Sequence, residues 1–273
     1  MQTRKIAEVI EVEEVLDIIE QGFTIPVKCR LKNGMNVIVK YMKNPGGQQV
    51  LLNEWVGSNI ADIIGLTIPE YGICDLTEKV IENTNYNEEI DIRNAGLAFY
   101  TKYYSKAIPV ISRGMLSFVS NKETEKIILF DHLVNHNDRH NGNLLCDISK
   151  GATLYVIDNS HIITLEPRIP FLFEEMMQNS EILSDKILKT NGDVYDLLSD
   201  VIGYNENKVR ECANEIKELL SIDVLEEIKE SIPISWIDSI GKEKTEQLFE
   251  VLEKRILLID ELAEMIIRER RIL

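Results

Sequence analysis

The chain has 273 residues, 44% hydrophobic and 28% charged, which is enough apolar content for one large domain or for two lobes. Its formal net charge of -16, from 46 acidic and 30 basic side chains, repels polyphosphate backbones, and with no basic groove in view a nucleic-acid partner is not expected. No apolar run reaches the roughly 18 residues of a membrane span. The first fifteen residues lack the apolar segment of a signal peptide, and Cys29, Cys74, Cys146 and Cys212 are scattered singly, so the expected setting is the reducing cytoplasm with no membrane contact.

Early in the chain, Ile25, Val27, Cys29 and Leu31 alternate with Lys28 and Arg30, a period-2 strand pattern. Asn33-Gly34 favours a type I′ hairpin turn, and Asn36–Tyr41 returns as the partner strand, with Lys40 on the same face as Ile38. After a loop at 44–49, Leu52, Val56, Ile60, Ile63 and Ile64 fall at helical spacing, predicting a helix from Leu51 to Ile64 stopped by Gly65 and Pro69. The Asn-rich stretch 77–94 reads as an exposed excursion. Leu97–Ser105 is aromatic and extended, a natural crossing between lobes. We place the lobes at 1–102 and 103–273.

Beyond Ser117 the pattern is mostly helical. Ser120–Glu123 matches a capping box before a helix in which Ile127, Phe130 and Val134 share a face. Val209, Cys212, Ala213, Ile216 and Leu220 mark a second amphipathic helix, and Glu246–Arg270 reads as one long closing helix. A mixed α/β region followed by a run of helices predicts two lobes meeting at a cleft.

One segment between elements carries chemistry. Asn135–Leu145, NHNDRHNGNLL, lies between the capped helix and a hairpin turned at Lys150-Gly151, and the returning strand Leu154–Asp158 delivers Asp158 beside it. Asp138, Asn143 and Asp158 then converge. Phosphoryl transfer needs an orienting carboxylate for the acceptor, oxygen ligands for Mg²⁺ and a cation on the phosphates. Mg²⁺ keeps several waters, so two protein ligands suffice, and Asn143 and Asp158 are candidates. Asp138 is the candidate for the acceptor hydroxyl, Lys40 for the phosphates, and Glu54 for an ion pair that holds Lys40.

Lys40, Glu54, DRHNGN (Asp138–Asn143) and VIDN (Val156–Asn159) resemble the bacterial HipA-like kinases, whose catalytic loop is similar to that of phosphoinositide kinases. The likeness runs over most of the chain, including Ser231–Ile237 and the closing helix. It implies an α+β, protein-kinase-like fold with a small β-rich N-terminal lobe and a larger helical C-terminal lobe. It also implies ATP and Mg²⁺ as cofactors, Asp138 as the catalytic carboxylate, Asn143 and Asp158 on the metal, Lys40 on phosphate and Glu54 behind Lys40. Arg139 and His140 would shape the loop. Adenine is expected near Ala98–Tyr104, with Tyr100 among the cofactor-binding residues. The expected acceptor is a hydroxyl, Ser or Thr of a protein.

The sequence departs from the kinase pattern in several places. It has no G-x-G-x-x-G; Gln21–Thr24, ending in Thr24, is the nearest phosphate-covering turn. Asp158-Asn159-Ser160 stands where Asp-Phe-Gly is usual, and no Ala-Pro-Glu follows. The extra N-terminal domain of the larger HipA toxins has no counterpart, which argues against a toxin role. Two other readings stay open. A kinase-like module that holds nucleotide or a partner without transfer fits the missing glycine loop. A metal-dependent hydrolase fits His132, His136 and His140 at four-residue steps, although Asn135 should break that helix.

Overall fold

The computed structural model describes residues 8–20, 24–86, 89–163 and 171–271. Five strands come first: β1 (Ile10–Ile18), β2 (Val27–Leu31), β3 (Asn36–Lys40), β4 (Tyr71–Leu76) and β5 (Gly96–Lys102). They close into a barrel in the order β1-β2-β3-β5-β4, antiparallel except where β1 meets β4. The helix α1 (Gln49–Ile63) joins β3 to β4, and the short α2 (Glu78–Glu82) follows β4. Strand alternation decides what fills the barrel: Cys29, Val37, Val39, Cys74, Ala98 and Tyr100 belong to one enclosed core. Ile73 and Phe99, on the other face of their strands, join α1 in a larger second core.

The rest of the chain is β6 (Ala107–Pro109), α3 (Arg113–Leu116), α4 (Thr124–Leu133), β7 (Leu144–Asp147) and β8 (Thr153–Val156), then a series of helices. These are α5 (Leu172–Met176), α6 (Asn179–Ile182), α7 (Lys186–Thr190), α8 (Gly192–Val201), α9 (Glu206–Leu219), α10 (Ile222–Glu230), α11 (Ile234–Ile240), α12 (Lys242–Leu257) and α13 (Ile259–Arg270). Strands β6, β7 and β8 form a small antiparallel sheet. The helix α4 is the hub, packed by α8, α9, α12 and α13 and buried along its whole length. Among the described residues no helix is long and apolar enough to cross a membrane.

Four local expectations are corrected. The β2–β3 hairpin does not use a type I′ turn. Leu31 O accepts from Gly34 N at 2.8 Å, Leu31 N donates to Met35 O at 2.9 Å, and within the turn only Gly34 has a positive φ, of 84°. That is a three-residue loop closed by a left-handed glycine, and the Asn33 side chain is spent accepting from Met35 N. The Asn-rich stretch is not wholly exposed: Thr77 caps α2, and Ile81 and Ile90 are buried against the barrel core. Residues 87 and 88 lie outside the described set.

Ser120–Glu123 is not a capping box. Ser120 N donates to Ala152 O at 2.9 Å, while the Glu123 carboxylate accepts from Thr67 N at 3.2 Å and Thr67 Oγ1 at 2.8 Å, 56 residues away. Long-range partners outcompete the local cap. Finally, the closing helix is two helices, broken at Leu258 (φ -102°, ψ 18°). No Gly or Pro marks the break; it lets α13 lie along α4 and α9 while α12 packs on α10 and α5. Deleting the α4 hub side chain in Phe130→Ala should cost about 3–5 kcal/mol, read as a lower urea midpoint with unchanged cooperativity.

Candidate active site

Helix α4 ends at Val134, and Asn135 then turns the chain with φ 52°. Short polar side chains tolerate this left-handed geometry better than most residues. The loop that follows is anchored from beneath by a buried network. The Arg139 guanidinium, 2% exposed, pairs with Asp131 of α4 at 2.9 Å and donates to Ile157 O at 2.7 Å. Tyr195 hydroxyl donates to the other Asp131 oxygen at 3.0 Å. Asn191, at the start of α8, accepts from Arg139 N at 3.0 Å and donates to His136 O at 2.9 Å. A buried ion pair is stabilising only when its remaining polar atoms are met, and here they are.

The hairpin β7–β8 brings in Asp158. Leu144 faces Val156 in register, Ile157 N donates to Asn143 O at 3.0 Å, and Asp158 takes a left-handed φ of 61°. That conformation costs free energy for a non-glycine residue. His136 offsets it, because its Nε2–H donates to Asp158 O at 2.8 Å while its Nδ1 accepts from Asp138 N at 3.2 Å. Both bonds need the same neutral tautomer. Burial, and next the Arg139 charge, push the His136 imidazole down to about 4, so it is neutral at physiological pH.

Lys40, at the end of β3, reaches across with its Nζ 2.5 Å from Glu54 Oε1 and 2.9 Å from Asp158 Oδ1. Glu54 sits on α1, and its second oxygen accepts from Asn159 N at 3.2 Å. Burial opposes the Lys40 charge, but the two carboxylates hold it well above its ordinary range. Burial likewise opposes ionisation of Asp158, yet the Lys40 ammonium and the Ser160 hydroxyl hold its carboxyl far below the usual range. With one cation between two anions, burial pushes Glu54 up to about 7 against the pull of Lys40. The donors to Asp158 all fall on Oδ1, leaving Oδ2 without a partner among the described residues.

The sequence-predicted residues divide as follows. Lys40, Glu54 and Asp158 touch one another. Asn143 joins Asp138, since its Nδ2 donates to Asp138 O at 2.7 Å while its Oδ1 takes no hydrogen bond among the described residues. The Asp138 carboxylate is half-exposed, with His161 Nε2 at 3.7 Å and His140 Nε2 at 4.0 Å. Tyr100 is not brought to this group: its ring fills the barrel interior, on the opposite face of β5 from Phe99, the residue paired with Lys40. Thr24 is buried, its methyl 3.0 Å from where a Cβ would stand on Gly46, and the rest of its turn (21–23) lies outside the described residues.

Sequence reasoning missed Asp131, Asn191, Tyr195 and the linking role of His136. Their sole signal was polarity on otherwise apolar helices, and nothing local says which loop they face.

A family model described as HipA-like kinase matches residues 12–260. The chain belongs to the HipA-like kinase family. Its α+β, two-lobed architecture is the kinase one, as two solved structures show. A Helicobacter pylori proinflammatory kinase, CtkA, superposes with a TM-score of 0.57 at 15% identity, over 96% of this chain and 99% of that one. A Golgi casein kinase determined with Mn/ADP bound gives 0.53 at 10% identity, over 94% and 74%. At such identities the likeness carries the fold alone. No curated protein matches the sequence.

In this HipA-like kinase the histidine stripe dissolves. His132 Nδ1 donates to Ile128 O at 2.7 Å inside α4, His136 turns to Asp158, and His140 projects to solvent. The three histidines that the hydrolase reading lines up therefore face different partners, and among the described residues no three His, Cys, Asp or Glu side chains gather as metal ligands. His132 is fully buried, and its imidazole, pushed down by burial first, lies at about 4. The unfolded chain therefore binds a proton between pH about 6.5 and 4 that the folded chain refuses, so stability falls as pH falls through that window. Between pH 7.5 and 4.5 the stability difference between wild type and His132→Leu should move by about 2–3 kcal/mol in favour of the variant. Urea denaturation at the two pH values measures it; a constant difference would show that His132 is not held neutral.

Proposed function

We propose that this chain transfers the γ-phosphate of Mg²⁺-ATP to a hydroxyl, the Ser or Thr of a protein. The observation that carries the reading is Lys40 held at 2.5 Å and 2.9 Å between Glu54 and Asp158, with Asp158 bonded through His136 to the loop that presents Asp138 and Asn143. As a structural feature a lysine buried between two acids is a weak source of stability, because desolvation offsets the attraction. As a preset cation for phosphate oxygens it has a use.

In this reading the nucleotide lies between the barrel and the β7–β8 sheet. Leu145, Tyr155 and Ile157, all partly buried, alternate onto the face of β7–β8 that carries Asn143, and Tyr104 stacks on Tyr155 with ring centroids 4.9 Å apart. In this reading they give the base an apolar floor, and Ile38 lies on the same face of β3 as Lys40. Contacts from Tyr100 and Thr24 fall to their backbones, because both side chains are turned inward.

Asn143 Oδ1 and Asp158 Oδ2, two unengaged hard oxygens, fit Mg²⁺, which takes few protein ligands and completes its shell with water and phosphate. When bound, the metal supplies positive charge against the phosphates. Lys40 supplies the second cation. Asp138 orients the incoming hydroxyl and receives its proton as the oxygen–phosphorus bond forms. The bond from the γ-phosphorus to the bridging oxygen breaks, and ADP leaves. The Golgi casein kinase with Mn/ADP bound supports the pairing of a divalent cation with adenine nucleotide in this fold.

Mg²⁺-ATP at about 100 times its dissociation constant should stabilise the folded chain by about 2.7 kcal/mol, seen as a raised melting temperature. Labelled γ-phosphate should appear on a protein acceptor, drop by about 10²–10⁴-fold in Asp138→Asn, and vanish in Asp158→Ala or with excess chelator. Nucleotide stabilisation without any labelling would support the binding-module reading instead. Labelling at the wild-type rate in both variants would remove Asp138 and Asp158 from the mechanism.

A further inference from the structure

Protein kinases that are switched on and off move the helix that carries the lysine-binding glutamate. Here that helix, α1, is enclosed. Every residue from Val50 to Ala61 is buried, so no solvent-facing side exists along which it could swing. Two of its faces are tied to different parts of the chain.

One face is fastened to the segment that starts at Asp158. Asn53, 1% exposed, donates from one Nδ2 to Ser160 O at 2.8 Å and to Ile162 O at 2.7 Å. One turn earlier Gln49 donates to Ile163 O at 2.8 Å. One turn later Gly57 approaches so closely that a Cβ there would stand 2.6 Å from the Asn159 Cβ. With Glu54 accepting from Asn159 N, these contacts set the register of α1 against the Asp158 segment residue by residue.

Another face is fastened to the C-terminal helices. Trp55 Nε1 donates to Ser231 Oγ at 2.9 Å at the end of α10. Trp236, fully buried on α11, donates to Leu97 O of β5 at 2.9 Å, spanning 139 residues of sequence. Helices α10 and α11 both pack on α1, closing the side from which a mobile helix would depart.

We propose that α1 is a fixed element: Asn53, Trp55 and Trp236 are positioning residues that keep Glu54, Lys40 and Asp158 aligned without an activating modification or partner. The catalytic part of this inference rests on the phosphotransfer reading above; the rigidity of α1 does not.

The test uses the full chain after phosphatase treatment. Hydrogen exchange of the α1 amides should match that of α4 within about tenfold and stay the same on adding Mg²⁺-ATP. Exchange in α1 faster than in α4 by about 100-fold or more, and slowed by Mg²⁺-ATP, would overturn the proposal. Asn53→Ala, assayed well below its melting temperature, should speed α1 exchange and lower kcat about tenfold or more with the KM for ATP moved less than about threefold, as expected for an interaction that acts through alignment. A side chain that merely adds stability would lower the melting temperature and leave kcat alone. Trp236→Phe keeps the ring and loses the N–H to Leu97, so it should move kcat in the same direction if Asn53→Ala does not fold. Unchanged kcat in both variants removes their positioning role. Transfer by the untreated chain that is lost on phosphatase treatment would overturn the proposal, whereas absence of transfer both before and after treatment sinks the phosphotransfer reading, and the exchange comparison still decides whether α1 is fixed.

Discussion

The site is organised by an electrostatic constraint: one ammonium placed out of water between two carboxylates that come from distant parts of the sequence. Lys40, Glu54 and Asp158 are each costly to bury alone, and each is tolerated because the other two are there. With both carboxylates ionised the set carries one more negative than positive charge, so a cation that approaches the free oxygen of Asp158 favours that state. Three elements must arrive together for this to work: the end of β3, the middle of α1 and the strand exit after β8. Much of the surrounding architecture can be understood as meeting that demand.

The polar network under the loop does the same work one layer further down. Asp131, Arg139, Tyr195 and Asn191 satisfy one another where water does not reach, and through Arg139 N and His136 O they fix the backbone on either side of Asp138. Arg255 extends this scaffold from α12. Buried, and with no acid in bonding distance among the described residues, it donates to the carbonyls of His132 and Leu133 at the end of α4. A cation there suits the negative end of the helix dipole and closes carbonyls that have no partner within the helix. The loop is polar and looks soft, yet it is tied at almost every residue.

Much of this was legible beforehand where the signal was local or chemical. The β2–β3 alternation, the α1 stripe stopped by Gly65, and the Asp138–Asn143 loop ahead of a returning strand each carry a period or residue set with few alternative uses. The four misread details share a different origin. The hairpin turn type, the use of Ser120 and Glu123, the burial of Ile81 and Ile90, and the break at Leu258 were each settled by partners tens of residues away. Tyr100 shows the same limit on a finer scale. Aromatic character placed it near the base, but strand parity sends its ring into the barrel and leaves Phe99 and Thr101 on the side of Lys40 and Ile38.

The sequence by itself determined the residue types that gather here and the order in which strands and helices deliver them, because a cation, hard oxygens and a further carboxylate at these spacings form a combination few loops provide. It also determined the family, since Lys40, Glu54, Asp138, Asn143 and Asp158 appear as a set. Only the tertiary structure decided which of these side chains meet, that His136 links Asp138 to Asp158, and that α1 is enclosed on all sides. Those outcomes depend on the summed burial and hydrogen bonding of segments far apart in the chain, such as Trp236 against Leu97 and Asn53 against Ile162. No local propensity encodes which distant segment a buried polar atom will find.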